Sequence, residues 1–527
     1  MTEMFSGHDD SDVVVARVEQ LGQEARHMDD DELSQYSRSI LDSRKLAGDS
    51  RDHLAVALAT SREVVRRVTG TQPPRAVLRV AAGAIMGEAD RPASRKERAA
   101  IGRDKAPAIA MVSYWKSLPM KGAHVVVADE DSVRTISETL RPIFSLLGVS
   151  LGVLGPSMSV AERRFAYSAM ITVGSISEMA ADYLRDNLHD SQADVVQREL
   201  HAAIIENTDA VLGAHALSHA VITGARPDGS GGADEDAIAA TFAPGVDYRV
   251  DRKQRAILLS APAMARLRSA VDWKGSPSLT AVARAEQVEH SILRRENLVK
   301  GGDRILLADI SYLHYIAMYK SVAGFSPSAG LSASVDELLR KSETGVPHSR
   351  ELAFERVLSR QRAETYLFRA TLRDGSASPN MIHAIVADVV DAWLLGGRDV
   401  LIGGLQGVLA GKVQPELIRV ALVGSEPRQE VGSKAVSMVE TAVEQRRRAL
   451  GSAQFEGVVR DVLLVVTDTQ WSAHLTRARF LQRQSVALYG AGPDSVQARE
   501  ADVDTMFSAC NQAIRVEAIK YILNVAV

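Results

Sequence analysis

Apolar residues recur at helical spacing from Asp12 to Val68, and the acidic run Asp29, Asp30, Asp31, Glu32 stands where a helix in that stretch begins. The pattern then shortens. Ala123 to Ala128, AHVVVA, is a β-branched run bounded by polar residues, followed by a helix-length stretch and by Val149 to Leu154, VSLGVL. Two strands separated by a helix-length segment predict a parallel βαβ unit. Met170 to Gly174 and Ala203 to Leu212 supply two more strand endings. Gly224 to Asp236, GARPDGSGGADED, is too rich in Gly, Pro and Asp to bury apolar area and reads as a linker closing a first lobe. Beyond it, Tyr248 to Leu259 alternates like a strand and Pro262 to Val271 reads as helix. From about Ser334 to Val527 the pattern is almost wholly helical. The predicted class is α+β, in several domains.

Composition narrows the function classes. A chain of 527 residues with 46% apolar content can bury several cores. The single cysteine, Cys510, excludes an intrachain disulfide and a cysteine-based zinc site, which fits a reducing cytoplasm. A net charge of −4 gives no global positive field for nucleic acid. No early apolar stretch resembles a signal peptide. The longest apolar region, Ile382 to Leu409, is interrupted by Asp388, Asp391, Arg398 and Asp399, too many charges for a bilayer span, so membrane contact is expected to be peripheral.

Phosphate chemistry is the next question. A phosphate-binding loop needs glycines for close backbone approach, a lysine for charge, and a Ser or Thr for Mg²⁺. Gly102 to Ala106 reads GRDKA: Gly102 and Lys105 are present, but Asp104 stands where a glycine is expected and Ala106 where the hydroxyl belongs. In ATP-driven motors the relevant strand ends in Asp-Glu, which orient the metal shell and the attacking water. In Gln197 to Leu212, QRELHAAIIENTDAVL, those positions read Glu206 and Asn207, and a neutral amide is a poor base. Gly102, Lys105 and Glu206 therefore form at most a weakened ATP site.

The order of segments resembles SecA, the ATPase that drives preproteins through the bacterial plasma-membrane channel. Met28 to Val68 looks like its opening helices, and Lys121 to Val153 like the strand, helix and strand after its phosphate-binding loop. Thr172 to Leu188, TVGSISEMAADYLRDNL, resembles a highly characteristic family stretch. Ile310 to Ala329 is similar to the segment closing the first motor lobe, although it ends FSPSA. Val357 to Tyr366 looks like the start of the helical scaffold and wing. Val462 to Tyr489 resembles the two-helix finger, with Trp471 and His474 at matching positions and Tyr489 near the tip.

The resemblance implies an organisation. Residues 1–223 would form a P-loop-helicase-like α/β motor lobe with a parallel sheet, and 224–305 a linker plus a shortened preprotein-crosslinking-like α/β insert. Residues 306–332 would close the lobe, and 333–527 would form the helical scaffold, wing and finger region. Between Ala329 and Val357 there are too few residues for a second motor lobe, which in the family supplies the other wall of the ATP site. The adenine-reading Gln is also not apparent in Ala76 to Gly83, AVLRVAAG.

Resemblance and departures together imply a protein of preprotein targeting and translocation that does not hydrolyse ATP and needs no cofactor. It would be a cytoplasmic or membrane-peripheral scaffold binding preprotein, the SecYEG channel or a full-length SecA. The alternative is an accessory ATPase that binds ATP and Mg²⁺ through Lys105 and Glu206 and completes its site with a partner's lobe. Partner contacts would come from Trp471, His474 and Tyr489 in the finger, and from Asp182 and Arg185 on a regulatory surface. Most have a plainer reading: Trp471 and His474 as packing residues, Asp182, Arg185 and Asp186 as a solvated charge set one helical turn apart. The run Arg446, Arg447, Arg448 reads as a solvated helix face.

Overall fold

The computed structural model describes residues 10–47, 51–87, 99, 105–214, 218–225, 233–252, 256–273, 279–299, 304–326, 330–331, 349–375, 381–422, 427–490, 492 and 494–524. The chain divides into two compact units. One comprises Met1–His189, Ala193–Val221 and Asp309–Glu355, and the other Asp190–Gln192, Ile222–Ala308 and Arg356–Val527.

The first unit opens with four helices, α1 (Asp10–His27), α2 (Asp30–Ala47), α3 (Arg51–Thr69) and α4 (Arg75–Met86). The acidic run does start a helix. Asp29 Oδ1 accepts from Glu32 N at 2.8 Å and Glu32 Oε2 accepts from Asp29 N at 2.8 Å, a reciprocal cap that satisfies two otherwise orphaned donors. Ala76 to Gly83 lies inside α4, with Val77, Leu78 and Val80 to Gly83 buried. Helix α5 (Ala106–Ser117) is apolar nearly all round and is almost entirely buried.

Strands β1 (Ala123–Val127), β2 (Leu151–Val153), β3 (Ile171–Ser175) and β4 (Ala202–Ile205) alternate with α6 (Glu130–Leu146), α7 (Val160–Ser168) and α8 (Ile176–Leu188). The chain returns much later to add β9 (Ser321–Ser326) and β10 (Gly330–Leu331), giving the sheet order β10-β9-β4-β1-β3-β2. All neighbours are parallel except β10 on β9. The sequence pattern places β1 and β2 in one βαβ unit; β3 in fact intervenes between them. Ala203 to Leu212 is strand only as far as Ile205 and becomes a π-helical turn at Asp209–Ala214. Leu54, Leu58, Ile109, Met111, Val125, Ile204 and Phe325 share one core, so the opening helices bury the sheet and the sheet completes their packing.

The chain passes between the units along β5 (His219–Ala225) and β8 (Arg304–Ser311), which pair with each other. Between them lie α9 (Ala233–Ala240), a hairpin of β6 (Tyr248–Asp251) and β7 (Ala256–Leu259), α10 (Ala261–Ala270) and α11 (Leu279–Arg295). The alternating stretch Tyr248 to Leu259 is thus two antiparallel strands. After β8, α12 (Tyr312–Ala317) leads into β9.

The second unit continues through α13 (Ser349–Arg373), α14 (Met381–Leu395), α15 (Arg398–Val408), α16 (Pro415–Leu422) and α17 (Arg428–Leu450). It ends with α18 (Ser452–Arg483), α19 (Ser485–Tyr489) and α20 (Asp494–Asn524). Gly451, at φ 81°, both ends α17 and begins α18, a left-handed backbone that glycine adopts without Cβ strain. Val462 to Tyr489 supplies one arm and the turn of a helical hairpin, whose other arm is α20. Ile385, Val389, Leu401, Leu405, Val439, Leu463 and Ile519 form its apolar core.

Candidate functional site

In a parallel α/β sheet, ligand chemistry gathers at the carboxyl ends of the strands. Here β1 runs out into Asp129, which caps α6 by accepting from Ser132 N at 2.8 Å; these hydrogen bonds hold its carboxyl below the usual range. At the end of β3, Ser175 caps α8 and donates to Glu130 Oε1 at 2.7 Å. Beyond β4, Glu206 N donates to Val126 O at 3.0 Å, which fixes the acid at the end of the strand. Asn207 Oδ1 accepts from Ala210 N at 3.2 Å, so its side chain serves the following turn. Thr208 donates to Phe325 O at 3.4 Å and ties β4 to β9.

Lys105, at the start of α5, places Nζ 2.5 Å from Glu206 Oε1, with the two side chains only 22% and 15% exposed. The structure therefore brings together two of the three residues expected of the ATP site; Gly102 lies outside the described residues. Sequence reasoning singles out Ala106 and misses its neighbour. Pro107 occupies the first turn of α5 and lacks an N–H, removing one of the backbone donors that a helix N-terminus offers an anion. With Lys105 and Glu206 engaged with each other, Asp129 and Glu130 add negative charge to this edge among the described residues. No group of three or more His, Cys, Asp or Glu side chains able to hold a metal occurs among the described residues.

A second polar constellation lies inside the same unit. Asp182 is 1% exposed. Its Oδ2 accepts from Arg163 Nη1 at 2.8 Å and from Tyr167 OH at 3.0 Å, and its Oδ1 from Arg185 Nη1 at 2.6 Å. Arg163 also meets Glu178 at 2.6 Å. Asp186 accepts from the backbone N–H groups of Val196 and Gln197, both at 2.8 Å. Gln197 Nε2 reaches Tyr167 OH and Tyr315 OH; Tyr315 OH lies 2.8 Å from Tyr319 OH, and that hydroxyl 2.7 Å from His124 Nδ1. Burial pushes His124 down to about 3 and raises the tyrosines. The expected solvated charge set is corrected: Asp182 and Asp186 are interior acids bonded to internal partners. Arg185 remains partly exposed while bonded to Asp182.

Trp471 and His474 in the finger take their plainer reading as packing residues. Trp471 is 1% and His474 0% exposed, so neither meets a partner from the surface. They pack with Tyr366 and Phe507, and His474 Nε2 lies 2.8 Å from Gln361 Oε1. Burial lowers His474 to about 3. Tyr489 is partly exposed and donates to Asp502 Oδ2 at 2.9 Å, holding the turn against α20. No described helix is long and apolar enough to cross a membrane.

Residues 6–338 match the SecA DEAD-like domain and residues 332–526 the SecA wing and scaffold domain. The chain belongs to the SecA family. It is 32% identical over 264 residues to the protein translocase subunit SecA of Rubrobacter xylanophilus, covering 49% of this chain and 28% of that protein. Against protein translocase subunit SecA 1 of Thermobifida fusca it is 33% identical over 246 residues, 46% of this chain and 24% of that one. The SecA subunit of Acidithiobacillus ferrooxidans is 28% identical over 341 residues, 63% and 34% respectively. The matched stretches thus span only part of these SecA proteins. The two SecA domains meet directly at residues 332–338, with no sequence between them.

Proposed function

We propose that this chain takes part in protein translocation across the bacterial plasma membrane as a SecA-family scaffold that neither hydrolyses ATP nor depends on it. In this reading it works at the cytoplasmic face, as an accessory or regulatory component that binds preprotein, the SecYEG channel or a full-length SecA. The carrying observation is the Lys105–Glu206 ion pair at 2.5 Å. A lysine that must neutralise a γ-phosphate is here neutralised by the acid that would otherwise hold the metal shell. Ala106 offers no oxygen to Mg²⁺, Pro107 no N–H to phosphate, and Asn207 no carboxylate to water. The residues present do not fit a Mg²⁺-nucleotide.

The direct junction of the DEAD-like and wing domains supports the same reading, because a nucleotide pocket built between two lobes has one wall here. The experiment is titration with a fluorescent ATP analogue, with and without Mg²⁺, alongside affinity capture from extract. The scaffold predicts no saturable binding and capture of channel or SecA subunits regardless of ATP. Saturable binding lost in Lys105→Ala, with turnover once a full-length SecA is added, would replace it with the accessory-ATPase reading.

A further inference from the structure

At the opposite end of the sheet from β10, β2 has β3 as its one strand neighbour among the described residues. Ser150 O accepts from Ile171 N at 3.1 Å and Leu154 N donates to Val173 O at 2.9 Å. In a parallel ladder successive residues turn their backbone groups to opposite sides, so Leu151 and Val153 direct N–H and C=O outward. Such an edge templates another strand. Alongside it lies a cleft of about 480 Å³ between α6 and α7, lined by Leu151, Val153, Met158, Phe165 and the charged Arg141 and Glu162.

Three features give this cleft a specific chemistry. Phe165 is 82% exposed, the largest exposure of any aromatic ring described. Glu162 is committed to the α7 cap, its Oε2 accepting from both Ser159 N and Ser159 Oγ at 2.7 Å. Arg141, exposed across the cleft, has no ion-pair partner among the described residues. Gly152 lets α7 pack directly on β2: a Cβ there would fall 2.0 Å from Ala166 O.

We propose that this cleft docks an extended peptide of another protein, which adds as a strand beside β2 and carries an apolar side chain for Phe165 and a carboxylate for Arg141. Main-chain bonds to Leu151 and Val153 supply the register, and the two side chains supply selectivity. The site is independent of nucleotide and of Lys105.

The probe is a fluorescein-labelled Thr-Val-Glu-Val-Thr-Val peptide, with a Glu-to-Gln version and a backbone N-methylated version, titrated against the full chain. Phe165→Ser is expected to weaken binding roughly tenfold by removing ring burial. Arg141→Gln is expected to erase a preference of about threefold for the Glu peptide over the Gln peptide. The N-methylated peptide should not bind, and amide exchange across residues 150–154 should slow when the unmodified peptide is present. Both substituted side chains are exposed, so thermal melting of the variants should match the parent. No binding at millimolar peptide, equal binding by Phe165→Ser, or unchanged exchange at 150–154 would overturn the proposal. So would concentration-dependent dimers dissolved by Phe165→Ser, which would assign the cleft to a second copy of this chain.

Discussion

Lys105 and Glu206 stand 2.5 Å apart, nitrogen to oxygen, at the end of the central parallel strands. Each is mostly buried, so losing one partner leaves the other poorly solvated. A double-mutant cycle with Lys105→Ala and Glu206→Gln should give a coupling of about 1 kcal/mol in unfolding free energy. Glu206→Gln alone releases the lysine and should show measurable binding of the fluorescent ATP analogue where the parent chain shows none. If releasing Lys105 changes nothing, the pairing is not what shields the site.

Asp182 answers two arginines and a tyrosine from the interior. Asp182→Ala leaves Arg163 with Glu178 and the backbone carbonyls of Gly155, Pro156 and Met158, takes the acceptor from Tyr167, and should cost about 3 kcal/mol, lowering the thermal midpoint. Asp182→Asn, which keeps shape and acceptor, should cost less. A loss under about 1 kcal/mol in Asp182→Ala would return the residue to a solvated role.

The buried imidazoles predict acid sensitivity. Burial lowers His474 and His124 from 6.5 to about 3. The unfolded chain takes up these protons below about pH 6.5, whereas the native state does so only near pH 3. The stability they preserve is therefore complete above 6.5 and is lost as pH falls towards 3. Each histidine should account for about 2 kcal/mol lost at pH 5, read by urea unfolding at pH 7.5 and 5. His474→Gln, which can still bond Gln361, should show a shallower acid loss than the parent.

Gln484 fastens the insert hairpin to the end of the long helix. It accepts from Leu259 N at 3.0 Å and donates to Ile257 O at 2.9 Å and to Glu289 at 2.8 Å, all in buried surroundings. Gln484→Ala should cost about 1–3 kcal/mol. Amide exchange should accelerate through Tyr248–Leu259 before it does elsewhere.

Much of the fold is legible in the sequence because its signals are local. The AHVVVA run, the Asp29 cap and the apolar face of Asp12 to Val68 each fix an element by short-range physics. The strand order is not: β3 enters between β1 and β2, and β9 joins β4 after more than a hundred intervening residues, which no local pattern reports. At the candidate site, the missing hydroxyl at Ala106 and the amide at Asn207 can be read from residue type alone. The Lys105–Glu206 pairing cannot, since it depends on how α5 meets β4. Asp182 and His474 mislead for a related reason: helical spacing shows which residues share a face but not whether that face looks inward. Pro107 is missed because its meaning as a lost donor depends on its place at a helix start, which the structure supplies at Ala106.

The central claim is that this SecA-family chain cannot cut a phosphoanhydride bond. Steady-state phosphate release from purified protein with saturating Mg²⁺-ATP tests it most directly. The account predicts a rate indistinguishable from that of Lys105→Ala and of protein-free buffer. Sustained release above both, abolished by Lys105→Ala, would contradict it.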